Sequence, residues 1–435
     1  MVPTKRFWLL VAIGIPLAAI SALIGSPVLV LAYDGLLLIA AIVSYYLAPS
    51  TKGLTILRTF DPVLSVRAAN KVTLEVDNES GEVIQGRLRD EPPAFFDAEL
   101  NEFDLRLESG RPQKLTYTVR PTERGSESFR GTFLRLDCPL GLVRRDVYLS
   151  SEQPVRVYPN VLALREFDML KQHGRLKEIG IRRSRMRGLG TDFESLREYT
   201  QGDDYRKMDW KASARSGKLV VRQFEQERNQ AVVLCIDTGR HMLAEVDGVT
   251  KLDHVLDALL MLTHAALVAG DSVGLLVFSD TVKRYIPPRK GRSQAGLIIE
   301  AVHDLVPEPV ESDPGAAFAY LASRWTRRSL LVGFTDYEDE DRARDLLVAF
   351  KPMSRRHLAL LVRVQDPRLD EVLAAPIANP KALYMRAAAS MLMEDRMAAK
   401  ALLRASGIHN LESEPQDLAA SLVNYYLMVK ERSLL

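Results

Sequence analysis

The stretch AVVLCIDTGRHMLAEVDGVTKLDHVLDALLMLTHAALVAGDSVGLLVFSD, residues 231–280, decides the fold. It opens with the continuous apolar run AVVLCI, which is typical of a strand buried on both faces. The segment KLDHVLDALLMLTHAALVAG then repeats apolar residues at helical spacing and ends at Gly270, a common helix terminator. A second apolar strand follows at once. This strand–helix–strand order indicates parallel strands joined by a helical crossover.

The same alternation continues towards the C-terminus. SLLVGFTD and HLALLVRV predict further strands, and AGLIIEAVHDL, PGAAFAYLASRW and DRARDLLVAF predict helices. Residues 231–379 are therefore predicted to form a doubly wound α/β domain with helices on both faces of a mostly parallel sheet. Ligands of such sheets bind beyond the carboxyl ends of the strands. Asp237 and Asp336 each follow such an end.

Residues 55–160 carry a different pattern. KVTLEVDN, QKLTYTVR, SFRGTFLRLD and PVRVYPN alternate apolar and polar residues, and Gly, Pro, Asn and Asp separate them. Short alternating strands with turn residues between them predict an antiparallel β-sandwich. No catalytic pattern stands out in this region, so we expect a structural or docking module.

Residues 1–54 predict a transmembrane helical hairpin. Phe7 to Ile24 and Pro27 to Ala48 are nearly all apolar, and each run is long enough to cross a hydrocarbon core of about 30 Å. Basic residues flank the outer ends of the pair and none lies in the turn between them, so the positive-inside rule predicts that both ends are cytoplasmic. A cleaved signal peptide is the alternative interpretation.

Charge and cysteine content limit the partners. The chain of 435 residues has a formal net charge of only +2, which gives no global electrostatic reason to expect nucleic acid. Its two cysteines lie far apart, so a disulfide framework is not expected. A basic run upstream of the α/β domain could bind anionic lipid headgroups, although a solvated arm is an equal alternative. This run includes Arg182, Arg183, Arg185 and Arg187.

The charged linker, residues 161–230, contains the most distinctive stretch, GDDYRKMDWKASAR at residues 202–215. Its charges alternate in sign around Trp210. Arginine forks paired with carboxylates, together with a large aromatic anchor, could lock the α/β domain to the β domain. A partner-binding surface and a catalytic site built on Asp204 and Asp209 are the alternatives.

This stretch resembles the signature of the bacterial family called domain of unknown function 58. The matching residues are Gly202, Asp204, Arg206, Asp209, Trp210, Ser213 and Arg215. The order of hairpin, β region, linker, α/β domain and C-terminal helices at 380–435 is similar to that family too. The resemblance implies a non-enzymatic adaptor or assembly factor in the bacterial cytoplasmic (inner) membrane, with its soluble domains on the cytoplasmic side. It also implies a partner, a MoxR-type AAA+ ATPase of the chaperone kind.

The α/β domain resembles the von Willebrand factor A domain, whose metal-ion-dependent adhesion site uses Asp-x-Ser-x-Ser, a later Thr and a later Asp. Here DTGRH retains Asp237 but has Gly239 and His241 at the serine positions. Ser312 stands at the threonine position and Asp336 at the last one. The resemblance implies a degenerate metal site of Asp237, Ser312 and Asp336 that could hold Mg²⁺. A divalent-metal-dependent hydrolase using the two aspartates, or a structural envelope protein, are the alternative functions.

Overall fold

The computed structural model describes residues 1–99, 101–160, 164, 168–169, 181, 192–200, 205, 208–225, 230–337, 340–432 and 434–435. For residues 192–195 and 222–225 it describes the backbone only. Contacts between residues divide the chain into two compact units, Met1–Tyr158 and Pro159–Leu435. Each unit has its own core.

Two apolar helices begin the first unit, α1 (Lys5–Ile24) and α2 (Val28–Tyr46). Thr4 caps α1 by accepting a hydrogen bond from the Phe7 amide, and Gly25 ends the helix in the left-handed conformation. By length and composition both helices could cross a membrane, and most of their surface is exposed, unlike that of a helix in a soluble core. The predicted helical hairpin is therefore present.

The rest of the first unit consists of two mainly antiparallel sheets. Their strands are β1 (Val2–Pro3), β2 (Leu54–Phe60), β3 (Leu64–Ser65), β4 (Asn70–Asn78), β5 (Ile84–Asp90), β6 (Phe96–Glu99), β7 (Glu102–Leu107), β8 (Gln113–Pro121), β9 (Gly125–Asp137) and β10 (Val143–Tyr158). One sheet has the order β1-β10-β9-β5-β7, with β3 beside β10, and the other has the order β2-β4-β8-β6. Alternate residues of both sheets, such as Leu74 and Leu134, share one apolar core.

A charged pair lies at the edge of this core. Arg58 and Asp90 are both buried, and an Nη2 to Oδ1 distance of 2.5 Å joins them. Tyr117 donates its hydroxyl hydrogen to the same carboxylate at 2.5 Å. Burial and the neighbouring Asp90 charge raise the pKa of Tyr117, so its hydroxyl remains a donor. The pair connects β2 and β5, which belong to different sheets.

The second unit contains a six-stranded sheet. Its elements are β11 (Asp192–Glu198), α3 (Trp210–Ser216), β12 (Val220–Glu225), β13 (Ala231–Asp237), β14 (Glu245–Val246), β15 (Val249–Thr250), α4 (Lys251–Val268), β16 (Ser272–Phe278), β17 (Val282–Arg289), α5 (Arg292–Val302), α6 (Pro314–Arg324), β18 (Leu330–Phe334), α7 (Glu340–Ser354), β19 (Leu358–Val364), α8 (Arg368–Ala374), α9 (Pro380–Ala405), β20 (His409–Ser413) and α10 (Pro415–Glu431). The order β17-β16-β13-β18-β19-β20 is parallel except at the β17 edge. β11 and β12 form a separate hairpin sheet.

Helices cover both faces of the six-stranded sheet. Val232, Leu234 and Ile236 of β13 point into one core, where α4, α5 and α10 pack. Val233 and Cys235 point into the other core, against α6, α7 and α9. The predicted α/β layering is thus confirmed. Burial of β13 on both faces also explains why the strand has an apolar residue at nearly every position.

The C-terminal region differs from the expectation of helices alone. Residues His409–Ser413 form β20, which adds to the sheet beside β19 in parallel register. α10 then packs in the core of α4, and Lys430 places its Nζ 2.7 Å from Asp271 Oδ2. The stretch HNLES is too short and too polar to predict a strand. It becomes one because its backbone pairs with the open edge of β19.

We predict that Arg58→Met destabilises the first unit by about 3–5 kcal/mol, because it leaves the buried carboxylate of Asp90 without its cation. The double variant Arg58→Met, Asp90→Leu should recover much of this loss. Chemical denaturation of the full chain in detergent, followed by far-UV circular dichroism, measures the effect. Arg87→Met, in an exposed ion pair with Asp104, is the control and should change stability little. Equal losses in the two single variants would contradict the prediction.

Candidate functional site

Asp237 lies at the carboxyl end of β13 and is buried. Its Oδ1 accepts hydrogen bonds from the Gly239 amide at 2.8 Å and from the Ser312 hydroxyl. Its Oδ2 accepts one from the Thr335 hydroxyl at 2.6 Å, and Arg342 Nη2 lies 3.7 Å away. Both carboxylate oxygens are therefore engaged by protein donors.

Asp336, two residues beyond β18, is buried as well and lies between two cations. Arg363 Nε is 2.5 Å from Oδ1, and Lys251 Nζ contacts Oδ2. Burial alone would raise the pKa of Asp336, but Arg363 and Lys251 hold it below its usual range. Lys251 begins α4, on one face of the sheet, whereas Arg363 is on the same side of β19 as Ala359 and Leu361, which face the other core. Asp336 is thus ion-paired from both layers.

The ion pairs continue into the C-terminal elements. Arg363 Nη1 lies 3.1 Å from Glu412 Oε1 on β20, and Lys400 of α9 contacts the other oxygen of Glu412. Tyr337 donates its hydroxyl hydrogen to Glu412 at 3.0 Å. Burial would raise the pKa of Glu412, but Lys400 and Arg363 lower it. The carboxyl edge of the sheet is therefore a network of paired charges, which we name the rim network: Asp336, Lys251, Arg363, Tyr337, Glu412 and Lys400.

This donor set does not fit a divalent cation. A Mg²⁺ ion needs open carboxylate oxygens, but Lys251 and Arg363 already occupy those of Asp336. A side chain at Gly239 would collide with the Ser312 hydroxyl and the Val310 carbonyl, so the serine of the adhesion motif has no room in this arrangement. Across the described ranges, no group of three or more His, Cys, Asp or Glu side chains is placed to hold a metal.

The structure brings part of the predicted metal site together. Ser312 contacts Asp237 directly, and Thr335, the neighbour of Asp336, contacts it too. His241, at the second serine position, instead has its Nε2 3.5 Å from Glu311. Metal binding at Asp237, Ser312 and Asp336 stays an untested prediction that this arrangement disfavours, because Lys251 and Arg363 contact the oxygens of Asp336 that an ion would need.

The signature segment forms a small helix. Asp209 caps α3 by accepting a hydrogen bond from the Ala212 amide at 2.9 Å, and Gly217 ends it. Ser213 is the buried residue of α3, and its hydroxyl accepts a hydrogen bond from the Val220 amide at 2.9 Å. Asp209 and Ser213 therefore shape this segment.

Trp210 is not buried within its own unit. It is 67% exposed at the first position of α3, and Arg215 in the last turn is exposed too. The reason is the small contact area, because a seven-residue helix that faces β12 through a serine cannot enclose an indole. The lock between the two domains stays a prediction, and the exposed indole of Trp210 is also available to the alternative, a partner-binding surface.

Several predicted residues lie outside the described part of the chain. These are the signature residues Gly202, Asp204 and Arg206, and the basic residues Arg182, Arg183, Arg185 and Arg187. Their proposed roles stay predictions.

Sequence reasoning missed the cations of the rim network, although two signals were present. Lys251 directly follows the helix cap Thr250, where the helix dipole disfavours a cation. Arg363 interrupts the otherwise apolar strand LALLVRV, and a charged residue in a buried strand needs a partner. Each signal predicts that a nearby carboxylate exists, but only the fold identifies it as Asp336.

Comparison with known proteins identifies the α/β part of the chain. The family model described as "Protein of unknown function DUF58" matches residues 195–376. This segment is a DUF58 domain. The match begins in β11, includes α3 and extends past β19, so the predicted family is confirmed.

Two curated bacterial proteins are similar to this chain over part of its length. The uncharacterized protein Rv1480 of Mycobacterium tuberculosis is 25% identical over 183 residues, which are 42% of this chain and 57% of the relative. The uncharacterized protein YeaD of Bacillus subtilis is 25% identical over 168 residues, 38% of this chain and 39% of the relative. The chain thus spans little more than half the length of the first relative and less than half the length of the second.

Solved structures give weak likenesses. The conserved hypothetical protein BatB from Bacteroides thetaiotaomicron is 14% identical and covers 47% of this chain and 99% of its own, with a TM-score of 0.31. A fragment of the alpha-2-macroglobulin of Escherichia coli is 12% identical and covers 26% of this chain and 17% of its own, with a TM-score of 0.22.

We predict that Asp336→Asn destabilises the DUF58 domain at pH 7 and flattens its acid sensitivity. The lowered folded-state pKa of Asp336 means that its charge contributes stability above the unfolded pKa of about 4, and that this contribution is lost as pH falls towards the folded pKa. Removing one member of such a buried set costs about 3–5 kcal/mol.

Denaturant titrations of the full chain in detergent, at pH 7 and at steps below pH 4, measure both effects. Asp345→Asn replaces an exposed aspartate of α7 and is the matched control. An Asp336→Asn variant as stable as the control at pH 7 would show that the rim network does not support the fold.

Proposed function

We propose that this protein is a membrane-anchored, non-enzymatic adaptor or assembly factor. Its DUF58 domain, in a von Willebrand factor A-like fold, would bind other proteins on the cytoplasmic side of a bacterial inner membrane. The observation that carries this proposal is the rim network. The two carboxylates that a metal-dependent hydrolase would use are engaged by buried protein donors, Asp336 by Lys251 and Arg363.

The exposed side of the signature helix supports a protein partner. Trp210 presents most of its indole at the start of α3, and tryptophan is enriched among the residues that dominate binding energy at interfaces. Beside it, Leu196, Asp209, Lys211, Arg215 and Val220 line a shallow depression between β11, α3 and β12. An exposed apolar anchor next to a depression that carries charges of both signs suits a partner surface of mixed polarity.

The family resemblance supplies the class of partner. A MoxR-type AAA+ ATPase would bind the DUF58 domain in one nucleotide state, and the α1–α2 hairpin would hold the complex at the membrane. In this proposal the protein acts as a membrane receptor for a chaperone and not as a catalyst. Its specificity would consist in which proteins it brings to the ATPase.

Co-purification tests this function directly. The tagged full-length protein is crosslinked in its native membrane, with and without non-hydrolysable ATP, and its partners are identified by mass spectrometry. A stoichiometric AAA+ ATPase whose recovery changes with nucleotide is expected. Recovery of no ATPase in either state, together with divalent-ion binding that Asp237→Ala abolishes, would favour the metal-dependent hydrolase. Failure of both would leave the structural envelope protein.

We predict that Trp210→Ala reduces recovery of the ATPase at least tenfold while leaving thermal unfolding almost unchanged, since exposed substitutions usually alter stability by no more than about 0.5 kcal/mol. Val348→Ala, at a similarly exposed apolar position on α7, is the control for both measurements. A Trp210→Ala protein that unfolds at markedly lower temperature would instead support the structural lock.

A further inference from the structure

Helix α9 is buried at one end only. Asn379 caps it by accepting a hydrogen bond from the Ala382 amide at 2.8 Å. Near its C-terminal end, Ala399 and Leu403 enter the core beside α7. Most residues of the first four turns are exposed, and Ala389 is the buried residue there.

One face of these exposed turns is apolar. Tyr384 and Met391 are 76% and 67% exposed, and Met385 and Leu392 are exposed beside them. Together with Ala388 they recur at the three- and four-residue spacing of a single helix face. The same face continues into Ala399 and Leu403, which the core covers. The stripe that anchors α9 therefore extends for several turns beyond the part of the domain that covers it.

A charged residue lies at each end of this face, and the two charges are opposite in sign. Lys381 lies one turn before Tyr384, and Asp395 lies one turn after Met391. Within the described contacts neither is paired with an opposite charge. A face with a cation at one end and an anion at the other is complementary to an antiparallel copy of itself. A lipid-binding face would instead carry mainly basic residues beside its apolar stripe.

We propose that this face, named here the α9 face (Lys381, Tyr384, Met385, Ala388, Met391, Leu392 and Asp395), binds the α9 face of a second copy of the chain. A two-fold axis passing Ala388 places Lys381 opposite Asp395 of the second copy. It also places Tyr384 opposite Leu392 and Met385 opposite Met391. The small side chain of Ala388 at the centre lets the two helices approach to about 8–10 Å. Such a contact is isologous and closes at two subunits.

Cysteine crosslinking tests the register. The native Cys138 and Cys235 are both buried, so Ala388→Cys adds the exposed thiol of the protein. Mild oxidation of the full chain in detergent should convert most of this variant into a disulfide-linked dimer. Ala398→Cys is the control. It is exposed on the same helix, but ten residues at about 1.5 Å each from the axis place it roughly 30 Å from its copy. Equal crosslinking of the two variants would overturn the proposal.

Charge exchange tests the complementarity. We predict that Lys381→Glu and Asp395→Lys each raise the dimer dissociation constant about tenfold, because each substitution affects two symmetry-related pairs. The double variant should return to the wild-type value. Arg386→Glu and Glu394→Lys alter exposed charges on other faces of α9 and should have little effect.

Sedimentation equilibrium of the full chain in a density-matched detergent measures these constants, and circular dichroism confirms that each variant is folded. A wild-type protein that is monomeric at every concentration would overturn the proposal and leave the α9 face to lipid or to a different protein. A dimer whose dissociation constant does not respond to the two charge changes would also overturn it.

Discussion

The ion pairing of Asp336 is the constraint on which the DUF58 domain depends. A buried carboxylate is costly to keep charged unless cations reach it, and here Lys251 and Arg363 reach it from opposite layers. The first belongs to α4 and the second to β19, so the packing of one helix layer and the position of one strand are fixed by the same charge. Through Arg363 the constraint extends to Glu412, and so to β20 and α9.

This arrangement changes what the carboxyl edge of the sheet can do. In a metal-dependent adhesion site the ion both joins the loops and offers an open position to a ligand. In the rim network, side chains of the protein itself connect the elements at this edge. Their charges are neutralised by one another within the protein, so no open position remains for a ligand. Under the proposed adaptor function, a partner would recognise the shape and surface of the domain, including the exposed indole of Trp210, independently of the supply of divalent ions.

Local patterns predicted much of the fold. The apolar run AVVLCID and the spacing of α4 were sufficient to predict a covered parallel sheet, because burial on two faces leaves a strong signal. The alternation in KVTLEVDN likewise predicted β4. The strand HNLES carries no such signal, since its identity depends on the open edge of β19.

The candidate site was predicted only in part. Asp237, Ser312 and Asp336 could be named from their places in the chain, whereas the side chains that contact the two aspartates come from distant segments that only the fold brings close. The exposure of Trp210 was missed because a tryptophan within a dense run of charges resembles an anchor, and the size of its contact cannot be read from composition.

The edge position of β20 has a consequence for biosynthesis. This strand follows α8 and α9, yet it completes a sheet whose other strands lie upstream. While the chain emerges from the ribosome, the edge of β19 is unpaired and Arg363 lacks Glu412. Unpaired edges of this kind are sites of aggregation. In the interval between the synthesis of β19 and that of β20, the edge of β19 is therefore open to pairing with another chain.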